Sequence, residues 1–128
     1  MDQYSAALGK VAKYAVLCAA CHGLEGSGYI GELMTAAAMS SGAVGTINDG
    51  GIRDIGGIIE LGFPTFAKYI TPTSAYGTMR IYDYEKPIRF GGLDVAPGDV
   101  VVADNDGIVI IPSSIAEAVI EKVLEKLN

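Results

Sequence analysis

The hydrophobic positions fall into short blocks, each closed by glycine, proline or an Asn/Asp turn. Residues 5–14, SAALGKVAKY, show a modest helical period, and residues 15–20 form an unbroken apolar run ending at His22-Gly23. A run this short reads as a buried strand or a helix segment, and periodicity does not separate the two. Gly23, Gly26 and Gly28 predict a loop. Residues 31–41, GELMTAAAMSS, predict a helix. Glu, Leu, Met and Ala are good helix formers, and Gly42 stands where a helix-ending glycine belongs. Residues 43–47 read as a short buried strand and Asn48-Asp49-Gly50-Gly51 as a turn. Residues 54–61 predict a short helix stopped by Gly62 and Pro64, and residues 64–70 are strand-like until Thr71-Pro72.

The second half predicts strands over 78–82, 88–90, 100–103 and 108–111, where β-branched or apolar residues lie between turn residues. Pro112-Ser113-Ser114 is expected to cap a final amphipathic helix over 115–127, with apolar positions Ile115, Val119, Ile120, Val123, Leu124 and Leu127. The pattern shows no internal repeat, linker or low-complexity segment. It predicts a small β-rich α/β or sandwich-like domain with peripheral helices.

Composition narrows this picture. A chain of 128 residues is expected to form one domain over 1–128 with a single core. Half of the residues are hydrophobic, which opposes disorder. Seventeen glycines are about twice the usual ~7% share, so tight turns or close backbone approaches are expected. The formal charge of −6 disfavours direct nucleic-acid binding but suits a basic protein partner. No apolar run reaches the ~20 residues of a membrane span. The start, MDQYSAALGK, lacks the basic and apolar regions of a signal peptide, so the cytoplasm is the expected compartment, with both cysteines reduced.

The candidate chemistry sits at the two ends of the segment 31–54. Glu32 opens it and Arg53-Asp54 closes it, with twenty residues between Glu32 and Arg53. A turn, helix, strand and turn return both ends to one edge of a sheet, so two carboxylates and a guanidinium meet at a small cleft. Mg²⁺ takes one or two carboxylates from protein and keeps water and substrate oxygens for the rest. Asp54 could bind such an ion directly, and Glu32 could act through a water. Arg53 could grip an oxyanion bidentately, which Lys does less well. The first turn of the 31–41 helix offers free N–H groups to a carboxylate. These parts suit formation of an enolate from a 2-oxo acid. The plainer alternative is a capped turn whose charges pair on the surface.

Several blocks, in order, resemble the RraA-like family, which includes the 4-hydroxy-4-methyl-2-oxoglutarate aldolases. They are Gly31-Glu32-Leu33, Asp49-Gly50-Gly51-Ile52-Arg53-Asp54, Gly62-Phe63-Pro64-Thr65-Phe66-Ala67 and Thr71-Pro72. Gly91-Gly92-Leu93-Asp94-Val95-Ala96-Pro97-Gly98-Asp99 and Ala103-Asp104-Asn105-Asp106-Gly107-Ile108 follow. The resemblance covers roughly residues 12–126. It implies a swivelling β/β/α fold, trimers or pairs of trimers, and active sites between subunits. It implies a metal-dependent class II aldolase releasing pyruvate from a 4-hydroxy-2-oxo acid, or a decarboxylase of oxaloacetate, using Mg²⁺ or Mn²⁺. Other members inhibit an RNA-degrading enzyme, so a non-catalytic regulator with a protein partner is the alternative. An older description of members as menaquinone methyltransferases finds no nucleotide-cofactor glycine signature here.

Carried over by position, Asp54 resembles the direct metal ligand and Arg53 the enolate-stabilising arginine. Glu32 resembles the acid that organises a metal-bound water. Gly31 and the N–H groups of Leu33 and Met34 resemble the cradle of the pyruvyl carboxylate. Asp99, Asp104 and Asp106 read as turn formers. The family's N-terminal helix and first strands have no counterpart in this sequence, and the C-terminal extension looks short. No residue matches the acid expected from a neighbouring subunit.

Cys18-Ala19-Ala20-Cys21-His22 offers a different chemistry, c-type haem attachment with His22 as axial ligand. Met34, Met39 or Met79 would be the second ligand, though none stands in a recognisable motif. On an extended strand, positions 18 and 21 point to opposite faces, which opposes joint ligation of haem or zinc. Burial as small apolar residues is the expectation for both cysteines. Tyr69, Tyr76, Tyr82 and Tyr84 read as core-edge residues.

Overall fold

The computed structural model describes residues 3–128; Met1 and Asp2, part of the expected single domain, lie outside the described residues. The first helix, α1 (Gln3–Leu8), is shorter and earlier than the periodicity of 5–14 predicts. Gly9 halts it with a hydrogen bond to the Ser5 carbonyl, and residues 9–14 run as turns. The apolar run 15–20 becomes a strand, β1 (Val16–Ala19).

From β1 onward, three turns of one design follow. β1 leads to β2 (Gly28–Ile30) and then α2 (Glu32–Ser40). β3 (Gly45–Asn48) leads to β4 (Gly51–Ile52) and α3 (Ile55–Leu61). β5 (Thr65–Phe66) leads to β6 (Tyr69–Ile70). The first strand of each turn joins one parallel sheet, β1-β3-β5, and the second joins another, β2-β4-β6. This interleaving is the swivelling β/β/α arrangement. The repeat is one of topology and leaves no sequence period, since the loops between the strands differ in length.

Two antiparallel hairpins follow, β7 (Ile88–Phe90) with β8 (Leu93–Val95) and β9 (Val100–Asp104) with β10 (Gly107–Ile111). Strand alternation on β1 divides the core in two. Leu17 faces Ala38, Ala43 and Phe63, with Leu8, Val11 and Leu61 around them. Val16 and Cys18 face the opposite way, onto Ile47, Phe90 and Val95, joined by Phe66 and by β9–β10 residues Val101, Ile108 and Ile110. Thus the β1-β3-β5 sheet is covered by helices on one face and by hairpins on the other.

The structure corrects several expectations. Residues 78–82 form no strand; Thr78 and Met79 instead turn back onto the Ala75 carbonyl. β2 and β4 are strands where glycines predict a loop and a turn, and β8 is a strand the pattern does not predict. Residues 64–70 divide into two short strands in different sheets. Ser113 and Ser114 supply no side-chain cap; with Ile115 they form a 3-10 turn leading into α4 (Ala116–Leu127). Asp99 holds that turn through the Ser113 N–H at 3.0 Å and its own turn through the Ala96 N–H at 2.9 Å, and these bonds lower its carboxyl pKa. Of the four tyrosines expected at the core edge, Tyr76 and Tyr82 are exposed. No helix among the described residues is long and apolar enough to cross a membrane.

Ile47 is fully buried at the centre of the second cluster. Ile47→Ala should therefore cost about 2–5 kcal/mol of stability through lost burial and a residual cavity. Urea denaturation reads this as a lower midpoint at unchanged slope.

Candidate functional site

The site forms where β2 and β4 end side by side. The two strands run parallel, with Ile30 opposite Ile52, and the Arg53 N–H continues the ladder to the Ile30 carbonyl at 2.9 Å. The next residues on each strand are Gly31-Glu32 and Arg53-Asp54. Both segments then enter helices, so α2 and α3 start from one sheet edge.

Asp54 takes the left-handed conformation, φ 59°, at the head of α3. Asp is among the residues that tolerate this region. Its Oδ2 accepts the Glu32 N–H at 3.1 Å and an Arg53 Nη1–H at 3.2 Å. One carboxylate oxygen thereby joins the start of α2 to the guanidinium. The Arg53–Asp54 pair is partly exposed, 25% and 46%, and such a pair contributes little to stability. Its effect is to orient the two side chains.

Gly31 makes room for this. A Cβ there would lie 2.5 Å from Asp54 Oδ2 and 2.9 Å from Arg53 Cζ, so only a residue without a side chain lets the pair lie against the strand end. The Arg53 stem runs along Gly28, whose own Cβ would meet Arg53 Cβ at 3.1 Å. Arg53 Nε is buried and has no partner among the described residues. A buried donor without an acceptor carries a desolvation cost that an anionic ligand would relieve.

At the start of α2, Thr35 bonds the Gly31 carbonyl through both its N–H (3.0 Å) and its hydroxyl (2.8 Å), which fixes the first turn. The N–H groups of Leu33 and Met34 belong to that turn and have no acceptor within the helix. The Leu33 side chain points out, 86% exposed, so this residue can contribute only backbone to the cleft. The Tyr4 hydroxyl donates to the Met34 carbonyl at 2.7 Å and ties α1 to the same turn.

Among the described residues no group of three or more His, Cys, Asp and Glu gathers. The available carboxylates are Asp54 and Glu32. Asp54 Oδ1 accepts no hydrogen bond among the described residues, so it is open to a cation, and two carboxylates are the number Mg²⁺ ordinarily takes from protein. The donor set fits a hard divalent ion.

Two residues outside the sequence-based selection shape the site. Asp49, read as part of a turn, accepts the Cys21 N–H on Oδ1 at 2.5 Å and the Gly91 N–H on Oδ2 at 3.2 Å. It binds the exit of β1 and the β7–β8 turn to the loop that leads into β4. Gly57, on α3, lies against the Glu32 carboxylate. The signal for Asp49 was its place in the Asn48-Asp49-Gly50-Gly51 turn, at the head of the block that ends in Arg53-Asp54; Gly57 offered only a glycine pair inside a helix.

Cys18, Cys21 and His22 do not make a common site. Cys18 lies on β1 and packs into the second core cluster. Cys21 is buried against Gly50, and His22 is exposed in a turn with φ 53°. Burial, reinforced by the Asp49 charge, pushes both thiols up to about 12.

The family described as RraA-like, Aldolase/RraA, matches residues 2–110. A candidate 4-hydroxy-4-methyl-2-oxoglutarate aldolase of Halalkalibacterium halodurans is 35% identical over 96 residues, covering 75% of this chain and 45% of that protein. A protein of the same description from Ectopseudomonas mendocina is 32% identical over 89 residues, covering 68% of this chain and 53% of that protein. Among solved structures, Streptomyces coelicolor RraAS2 is described as an unusual member of the RNase ES inhibitor RraA protein family. It superposes with a TM-score of 0.87 at 31% identity, covering 98% of this chain and 67% of that one. With the interleaved sheets and the match over most of its length, the chain belongs to the RraA-like family. It spans about half the length of the curated relatives it matches.

The raised thiols give a test of this local structure. Both cysteines should resist a thiol-disulfide reagent at pH 8 in the folded protein and react on unfolding, because the thiolate is the nucleophile. A raised folded pKa means that the unfolded chain releases its protons first. Stability should thus fall as pH climbs from about 9 toward 12, and Tyr4, pushed up to about 12 by burial, adds to the upper part of that window. Thermal melts across this range check the direction.

Proposed function

We propose that the cleft between Glu32 and Arg53-Asp54 is the centre of a divalent-metal-dependent lyase. It would release pyruvate from a 4-hydroxy-2-oxo acid or from oxaloacetate. The observation that carries this reading is the Asp54 carboxylate: Oδ2 is held by the Glu32 N–H and by Arg53, and Oδ1 is left open. The names of the relatives support the lyase class.

Asp54 would hold Mg²⁺ or Mn²⁺ directly, and Glu32 would do so through a water. The bound cation supplies positive charge that polarises the 2-oxo group. The substrate carboxylate lies on the Leu33 and Met34 N–H groups at the N-terminal end of α2, beside Gly31. In oxaloacetate the bond between C3 and the C4 carboxylate breaks, CO₂ leaves, and the electron pair moves onto the C2 oxygen. Arg53 donates hydrogen bonds to that oxygen as its charge grows. In a 4-hydroxy acid the C4 hydroxyl gives up its proton as the C3–C4 bond breaks, and Glu32 takes this proton through a water. Protonation at C3 then yields pyruvate in both cases. A ring of subunits, a trimer or pair of trimers, would complete the pocket around the distal part of the substrate.

A second reading, a regulator that binds a basic protein partner, draws on the likeness to RraAS2 and on the net charge of −6. Capture of such a partner, unaffected by changes at Arg53 and Asp54, would favour it.

Arg53→Ala should lower kcat for pyruvate release from oxaloacetate by roughly 10²–10³-fold while the melting temperature holds. Arg53→Lys should retain part of the activity, since it keeps the charge and loses the fork. Unchanged turnover in Arg53→Ala contradicts the assignment.

A further inference from the structure

Gly56 and Gly57 stand side by side in α3, and glycine in a helix is less stable than alanine. Their surroundings differ. A Cβ at residue 56 would meet nothing within 4 Å, whereas one at residue 57 would lie 2.5 Å from Glu32 Cδ and 2.9 Å from Glu32 Cγ. Neither glycine has a positive φ, so backbone conformation does not call for glycine at 57. What occupies the space of the missing side chain is the carboxylate end of Glu32. Although Glu32 begins α2 as an exposed residue, its carboxylate folds across onto α3.

We propose that Gly57 is a positioning residue, whose missing side chain forms the seat that fixes the Glu32 carboxylate against α3. The proposal rests on the reading of the cleft as a metal-dependent lyase. A glutamate at the first position of a helix otherwise samples several rotamers. The seat limits that freedom before substrate arrives, and a carboxylate misplaced by about 1 Å costs rate steeply. A methyl group at 57 fills the seat. The atoms in its way are the end of a flexible side chain, so α3 keeps its place and the carboxylate moves. Gly56 provides the matched control, with the same gain in helix propensity and nothing to displace.

The test compares the full chain with Gly56→Ala, Gly57→Ala, Glu32→Asp and the double variant Gly57→Ala/Glu32→Asp. Three quantities are measured: the melting temperature, Mn²⁺ binding by electron paramagnetic resonance without substrate, and kcat and KM for oxaloacetate with Mg²⁺. Both alanine variants should keep or raise the melting temperature. Gly56→Ala should match the parent in Mn²⁺ affinity and kcat. Gly57→Ala should weaken Mn²⁺ binding severalfold and lower kcat about 10- to 100-fold, with KM changed far less. In Gly57→Ala the Glu32 carboxylate has already left its seat, so shortening the side chain takes less away. Glu32→Asp should therefore cost less when added to Gly57→Ala than when added to the parent. A parent that binds Mn²⁺ and releases pyruvate, with Gly57→Ala equal to Gly56→Ala, overturns the positioning role alone. A folded parent that does neither overturns the reading of the site, and the role falls with it.

Discussion

Everything at the site depends on the register of one pair of short parallel strands. Ile30 lies opposite Ile52, so the residues that follow each strand emerge level with each other. The bond from the Arg53 N–H to the Ile30 carbonyl fixes this, and the contact between Asp54 and the Glu32 N–H continues it beyond the sheet. A slip of one residue would send Arg53 to the other face of the strand and separate the carboxylates. Small residues make the register attainable. Gly28, Gly31 and Gly51 leave space for the Arg53 stem, the Arg53–Asp54 pair and the Tyr69 ring.

The same logic accounts for the division between core and cleft. The β1-β3-β5 sheet is buried on both faces and carries most of the packing, with Ile47 at its centre. The β2-β4-β6 sheet has strands of two or three residues, with Ile30 and Ile52 as its buried apolar side chains. It is held at the side by polar bonds, such as the Gly28 N–H to the Thr73 carbonyl at 2.7 Å and the Tyr69 hydroxyl to the Leu24 carbonyl. The larger apolar clusters thus lie on one sheet and the proposed site at the end of the other.

The sequence revealed the elements with a strong local signal. The α2 helix, β3, β7 and the β9–β10 hairpin lie within a residue or two of their expected places, because good helix formers or β-branched runs end at clear turns. The juxtaposition of Glu32 with Arg53-Asp54 was legible too, from a turn, helix, strand and turn expected to return to one edge, although that edge belongs to the β2-β4-β6 sheet and not to the sheet of β3. The strands β2 and β4 were not, because Gly28 and Gly50-Gly51 look like loop when only one or two residues beside them are apolar. Their glycines serve close approach rather than turning. The false strand at 78–82 shows the converse, as β-branched and aromatic residues there find no neighbouring strand to pair with. The seat at Gly57 was illegible for a different reason: it depends on a side chain twenty-five positions earlier in the chain.

The central claim is that the carboxylates and Arg53 act on a 2-oxo acid with a divalent ion between them. Pyruvate release from oxaloacetate by the folded protein, followed with Mg²⁺ and then through addition of excess chelator, tests it most directly. The account predicts release that stops on chelation and returns when Mg²⁺ is restored. Release that persists under chelation, or none from the folded protein with Mg²⁺ present, would contradict it.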